Sequence, residues 1–123
     1  MLKCNEILEN LSQFHGSEVM YKMPLFNTRY TEGIKYLADA ADCHWLVTDV
    51  SIMGKSLLEK SYFVTVDFKK CHPQTKGGPM ATISYGDGNG KLFCSQEYGY
   101  TDFPMEELRL YFVNNTLMLP SEY

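Results

Sequence analysis

From Ser61 to Lys70 the chain alternates strictly. Tyr62, Val64, Val66 and Phe68 fall on one side of an extended backbone, and Phe63, Thr65, Asp67 and Lys69 fall on the other. Period-two patterning of this length predicts a strand with one apolar face. Turn signals supply its neighbours. Gly86-Asp87-Gly88-Asn89-Gly90 separates the strand-like stretches 80–85 and 91–96, and Asn114-Asn115 separates 108–113 from 116–119. Glycine and asparagine at such points tolerate the positive φ of tight hairpins. Residues 72–79 hold two prolines and two glycines and read as a loop. Thr101 or Asp102 is placed to cap a short helical turn, with Pro104 in its first turn and Glu106 and Glu107 following.

The first half has a different period. Ile7, Leu8, Leu11 and Phe14 form an apolar stripe over 3–14, stopped by Gly16. Ile34, Leu37, Ala38 and Ala41 recur at helical spacing after Thr31, whose hydroxyl suits an N-cap. In 44–58, Leu46, Val50, Met53 and Leu57 favour a helix while Val47, Thr48, Val50 and Ile52 suit a strand; the helix is taken. Val19, Tyr21 and Met23 alternate like a short strand limited by Pro24 to an edge or terminus. The expected architecture is α+β in a single domain, 1–123. Its helical part covers about 1–58 and its β part about 61–119. Two or three N-terminal helices pack on one face of a four- to five-stranded antiparallel sheet.

A chain of 123 residues, 45% hydrophobic and 21% charged, can bury a core without staples. Its four cysteines, Cys4, Cys43, Cys71 and Cys94, are scattered, which differs from a dense disulfide scaffold. No apolar run approaches membrane-spanning length, and the opening Met-Leu-Lys-Cys-Asn-Glu reads as carrying no signal peptide. Reduced thiols in a cytoplasm are the expectation. Asn114-Asn115-Thr116, a glycosylation pattern, then reads as a turn.

Charge is segregated along the chain. Residues 1–52 carry −3, 53–91 carry +3 and 92–123 carry −4. The acidic last third is also rich in tyrosine: Glu97, Tyr98, Tyr100, Asp102, Glu106 and Glu107, with Glu122 and Tyr123. Tyrosine supplies contact area at low entropy cost, and carboxylates steer a basic partner. This set is the candidate partner-binding face. Lys55, Lys60, Lys69, Lys70 and Lys76 form the alternative, a patch able to touch phosphates.

Motifs of chemistry are thin. Cys43-His44 and Cys71-His72 repeat a dipeptide that could furnish a tetrahedral zinc site, as in a small metal-dependent hydrolase. Adjacent ligands converge poorly on one metal, so no metal ligand is assigned. Asp87-Gly88-Asn89-Gly90 resembles part of a calcium-binding loop, but Tyr85 and Gln96 stand at its first and twelfth positions where acids are needed. His15, His44 and His72 lie in no nucleophile context. No phosphate-binding glycine motif occurs, no cofactor is expected, and no catalytic residue is assigned.

Several stretches together carry a family resemblance. They are Leu11-Ser12-Gln13-Phe14-His15-Gly16, residues 30–38 from Tyr30-Thr31-Glu32-Gly33, Trp45-Leu46, and Asp87-Gly88-Asn89-Gly90 with Gln96-Glu97. Tyr100-Thr101-Asp102-Phe103-Pro104 and Leu119-Pro120-Ser121-Glu122-Tyr123 complete the set. The chain resembles a family of small bacterial, plasmid and phage proteins catalogued only as a domain of unknown function. The resemblance implies a stand-alone domain of mobile elements in a bacterial host cell, and it transfers no site residues. With its size and net charge of −4, the expectation is a non-catalytic interaction protein. Its partner would be a protein or ribonucleoprotein, such as an RNA-guided defence nuclease that it inhibits in the manner of an anti-CRISPR. A small nucleic-acid binder is the alternative.

Overall fold

The computed structural model describes residues 4–14, 20–23, 27–71, 80–99 and 103–123. Helix α1 (Cys4–Leu11) is followed by strands β1 (Met20–Met23) and β2 (Thr28–Thr31), then by helices α2 (Glu32–Ala40) and α3 (His44–Ser56). Five strands complete the chain: β3 (Phe63–Lys70), β4 (Ala81–Gly86), β5 (Leu92–Tyr98), β6 (Glu107–Val113) and β7 (Thr116–Met118). A 3-10 turn follows at Pro120–Glu122.

The fold is α+β, as expected, with three helices among the described residues. The sheet departs from the expectation: among the described residues it has seven strands in the order β1-β2-β7-β6-β3-β4-β5, and it is mixed. Every pair is antiparallel except β2 with β7, which run parallel with Arg29 opposite Thr116 and Tyr30 opposite Leu117. Five strands do come from the C-terminal half. The other two lie in the first half: β1 falls on the alternating stretch around Tyr21 read as a short edge strand, and β2 directly precedes α2. Their docking is non-local: the Arg29 amide donates to the Asn115 carbonyl at 3.0 Å, and the Asn115 side-chain amide donates to the Asn27 carbonyl. The short helical turn expected near Pro104 is also absent among the described residues, and Thr101 and Asp102 lie outside them. Phe103 and Met105 are instead both buried, and the Glu106 carbonyl accepts from the Lys70 amide, which draws the chain straight into β6.

Both turn signals act locally. Asn114 and Asn115 take φ of 50° and 61°, the left-handed values a two-residue hairpin needs. In the β4–β5 turn the Asp87 carboxylate accepts from the amides of Asn89 at 2.7 Å and Lys91 at 3.1 Å. Those bonds, the Asn89 one foremost, hold its carboxyl below the usual carboxylate range. The carboxylate resembling a calcium ligand is thus engaged in building the turn.

One core joins the inward residues of β3, β4 and β6 to residues of all three helices. Val64, Val66 and Phe68 face Ile83, Tyr85, Leu110 and Phe112 on the same side of the sheet, with Ile34, Leu37, Leu46 and Val50 above them. Helix α2 begins where Thr31 Oγ1 accepts from the Ile34 amide at 3.4 Å. A second group reinforces this start. Glu122, buried under the 3-10 turn, accepts from the Thr31 hydroxyl at 2.6 Å, the Gly33 amide at 3.3 Å and the Leu119 amide at 3.1 Å. A carboxylate at a helix N-terminus satisfies orphan amides and complements the helix dipole. The Leu-Pro-Ser-Glu-Tyr stretch therefore joins the end of β7 to the start of α2.

Candidate functional site: the open face of the sheet

Strand alternation sends the other half of the sheet's side chains away from the helices, where they form an open face. The register lays these residues in rows. Glu97, Thr82, Lys69 and Glu107 follow one another across β5, β4, β3 and β6. The next row is Ser95, Ser84, Asp67 and Arg109; the row beyond runs from Leu92 through Gly86, Thr65 and Tyr111 to Met118 on β7. Cross-strand neighbours stand about 5 Å apart, close enough to interact directly.

The two ends of this face differ in chemistry. At one end Phe63, Tyr111 and Tyr123 form a cluster, with ring centroids 4.8, 5.2 and 5.6 Å apart and Tyr123 meeting both partners edge-on. Rings this close pack on one another, giving an aromatic cluster with the tyrosine hydroxyls as its polar groups. Tyr123 is 69% exposed, and Leu92, in the Tyr111 row, is 62% exposed. At the other end the charges are matched. Arg109 grips Asp67 in a two-pronged bond, Nε to Oδ1 at 2.7 Å and Nη2 to Oδ2 at 3.1 Å. That hydrogen bond, with the charge behind it, raises the guanidinium pKa further. Two shallow hollows flank the pair. One of about 400 Å³ lies against Lys69, Glu107 and Leu108. The other, of about 200 Å³, lies over Gly86 and Gly88 beside Thr65 and Ser84. A Cβ at Gly86 would sit 2.7 Å from the Lys91 carbonyl oxygen, so no other residue fits the turn there.

The sequence candidates distribute as follows. Glu97 and Glu107 lie on the open face with Lys69 in the same row, so acidic and basic candidates interleave there. Glu106 precedes β6 and is exposed. Tyr98 points to the helix side, donating to Asp49 Oδ2 at 3.1 Å and packing on Trp45. Glu122 is buried in the cap of α2, away from any docking role. Lys55 and Lys60 are exposed at the end of α3 and just after it, while Lys69 and Lys70 close β3. The strand between them spans roughly 23 Å at 3.3 Å per residue. Tyr100, Asp102, Lys76, His15 and His72 lie outside the described residues.

The cysteine–histidine pairs sit in separate settings. Cys43 is buried between α2 and α3, its thiol 3.6 Å from the Leu37 carbonyl, whereas Cys71 lies beyond β3 with its sulfur 3.4 Å from the Thr82 hydroxyl. His44 is exposed, and its Nε2 stands 3.2 Å from Asp39, which also takes the Lys35 ammonium at 2.7 Å. Among the described residues no three His, Cys, Asp or Glu side chains gather to hold a metal ion. No described helix is long and apolar enough to cross a membrane.

On the helix side, Tyr85 donates to Gln96 Oε1 at 2.8 Å, and the Tyr98 hydroxyl shares its one proton between Asp49 and that same oxygen, 3.3 Å away. Burial first, and neighbouring acidic groups second, push both phenols above the ordinary tyrosine value. Because the folded chain keeps them neutral, their support for folding is complete below about pH 10 and is lost as pH climbs beyond it. Tyrosinate absorbance followed with far-UV circular dichroism is expected to show these two ionising only as ellipticity disappears. Full ionisation of every tyrosine in a chain of native ellipticity is the contrary result.

Phe63, Tyr111, Tyr123 and Arg109 were not singled out together from sequence. Phe63 belonged to the polar side of an alternating strand, and Tyr111 lies 48 positions away. Only the β3–β6 register, with Thr65 opposite Tyr111, makes them neighbours. No curated protein and no solved structure matches the chain. A family model, described as a family of unknown function (DUF6876), matches residues 5–123. The chain therefore belongs to the DUF6876 family.

Proposed function

We propose that this chain is a non-catalytic interaction protein that binds a protein partner through the open face of its sheet. The observation that carries this reading is the Phe63–Tyr111–Tyr123 cluster, two half-buried rings under the exposed Tyr123, beside rows of matched charge. Clustered aromatics with an adjacent arginine are the usual anchors of protein interfaces. The alternation of Glu97, Lys69 and Glu107 and the Asp67–Arg109 pair supply orientation, since mismatched charge rows repel.

The nucleic-acid reading needs a continuous basic stripe to follow phosphates. Here the lysines at the two ends of β3 are separated, and Lys69 stands between Thr82 and Glu107. A protein surface is therefore the favoured partner. Inhibition of a host defence complex, an RNA-guided nuclease among them, is the proposed setting, resting on small size and net charge of −4.

The test uses the tagged chain as bait in its native host. Truncating Tyr111 and Tyr123 together to alanine is expected to reduce retention of the specific partner at least tenfold, as loss of aromatic anchors does. The control Leu8→Ala, at an exposed position of α1, should retain it. Equal retention by both variants, each with native circular dichroism, would remove the open face from the reading.

A further inference from the structure

The turn at Pro120–Glu122 touches two distant parts of the fold at once. Two backbone bonds close it: the Glu122 amide donates to the Leu119 carbonyl at 2.9 Å, and the Tyr123 amide to the Pro120 carbonyl at 3.2 Å. Consecutive side chains leave this turn for different surroundings. Glu122 is buried against the start of α2, whereas Tyr123 is exposed and meets Phe63 and Tyr111 of the open face edge-on.

The two contacts differ in grip. The Tyr123 ring leans on two ring edges with most of its surface in water. The Glu122 carboxylate accepts charge-assisted hydrogen bonds, which are the stronger kind. Its Oε1 alone takes the Thr31 hydroxyl at 2.6 Å and the Leu119 amide at 3.1 Å. That one oxygen therefore joins the residue entering the turn to the residue capping α2. Oε2 adds the Gly33 amide at 3.3 Å. The fit leaves no slack: a Cβ at Gly33 would lie 2.5 Å from both Glu122 Oε1 and Leu119 Cδ1. The carboxylate fixes the turn, and the turn carries the ring.

We propose that Glu122 is a positioning residue of the open face: through it, the start of α2 sets where the Tyr123 ring stands over Phe63 and Tyr111. Its bearing on function rests on reading that face as the docking surface. Glu122 shapes the surface without touching the partner, because its carboxyl is buried. A change at Thr31 or Gly33 is then felt at the aromatic cluster, although neither residue belongs to it.

The test is the proton NMR spectrum of the full chain, in which packed rings displace one another's signals from their free values. Glu122→Ala is expected to return the Tyr123 ring signals to free values while the amides of β3, β4 and β6 stay dispersed. A loss of stability alone would leave the signals of the folded chain where they are. Glu122→Gln retains one carbonyl oxygen for Thr31 and Leu119 and should hold the ring near its native position. Should Glu122→Ala fail to fold, Thr31→Val removes a single donor to Oε1 and should move the same signals part of the way, and Thr31→Ser should not. Unmoved Tyr123 signals in folded Glu122→Ala, or identical spectra for Thr31→Val and Thr31→Ser, overturn the proposal. Partner retention by the tagged chain tests the docking reading separately. Glu122→Ala should lower it as far as Tyr123→Ala does, roughly threefold or more, and the double variant no further than Tyr123→Ala alone. Released ring signals with undiminished retention would uphold the coupling and reject Tyr123 as an anchor. Fixed ring signals with retention lost in Tyr123→Ala would do the reverse.

Discussion

Glu122→Ala is expected to destabilise the folded chain by about 3 kcal/mol, the largest effect of any single surface-adjacent substitution considered. The carboxylate accepts three hydrogen bonds, from the Thr31 hydroxyl and from the Gly33 and Leu119 amides. Hydrogen bonds to a charged group contribute about 1.5–3 kcal/mol each, and water entering the gap offsets part of their loss. Removing the side chain leaves the start of α2 without its second cap and loosens the tie between β7 and that helix. For a domain of this length the melting temperature should fall by roughly 10–15 °C. Glu122→Gln, which keeps an acceptor and the shape, should lose about half as much. Gly33→Ala tests the same contact from the other side. Its Cβ would lie 2.5 Å from both Glu122 Oε1 and Leu119 Cδ1, so the carboxylate must move. The two changes act on one contact, and the double variant should cost less than the sum of the singles. Urea unfolding of the four chains decides it. A loss below about 1 kcal/mol for Glu122→Ala would mean that the turn is held by Leu119 packing alone.

Gly54→Ala should also be strongly destabilising, although alanine is the better helix former by about 1 kcal/mol. Gly54 is buried in the last turns of α3, and a Cβ there would meet the Phe112 ring at 2.7 to 3.0 Å. Phe112 is fully buried and has no free direction in which to retreat. Overpacking of this kind costs about 1–3 kcal/mol beyond the propensity gain, so a net loss of about 2 kcal/mol is expected. Phe112→Leu, destabilising by itself, should recover part of the loss in the Gly54→Ala background, because it removes the ring atoms in conflict. Gly99 is the contrast: among the described residues nothing lies within 4 Å of its Cβ position, and alanine there should change stability by less than about 0.5 kcal/mol. A stabilised Gly54→Ala chain would show that α3 stands further from the sheet than the structure places it.

These two sites also mark where reading the sequence succeeds and stops. Thr31 was identifiable as an N-cap because capping is written within four residues, and its hydroxyl does accept from the Ile34 amide. The second cap, 91 positions away, has no local signature. Glu122 looked like one more surface acid in a tyrosine-rich tail, and only the return of the chain under α2 buries it.

Periodicity alone determined the helices around Leu8 and Leu37, the long alternating strand from Phe63, and the hairpins at Gly88 and Asn114, because each depends on neighbours a few residues apart; around Val50 it left helix and strand both open, and the structure shows the helix. Tertiary structure decided the rest: that β2 lies parallel to β7, that Lys69 sits between Thr82 and Glu107, and that Phe63 meets Tyr111 and Tyr123. Strand pairing selects partners by whole-face burial across many intervening residues. The rows of the open face are a product of that selection, and no segment of the chain encodes them by itself.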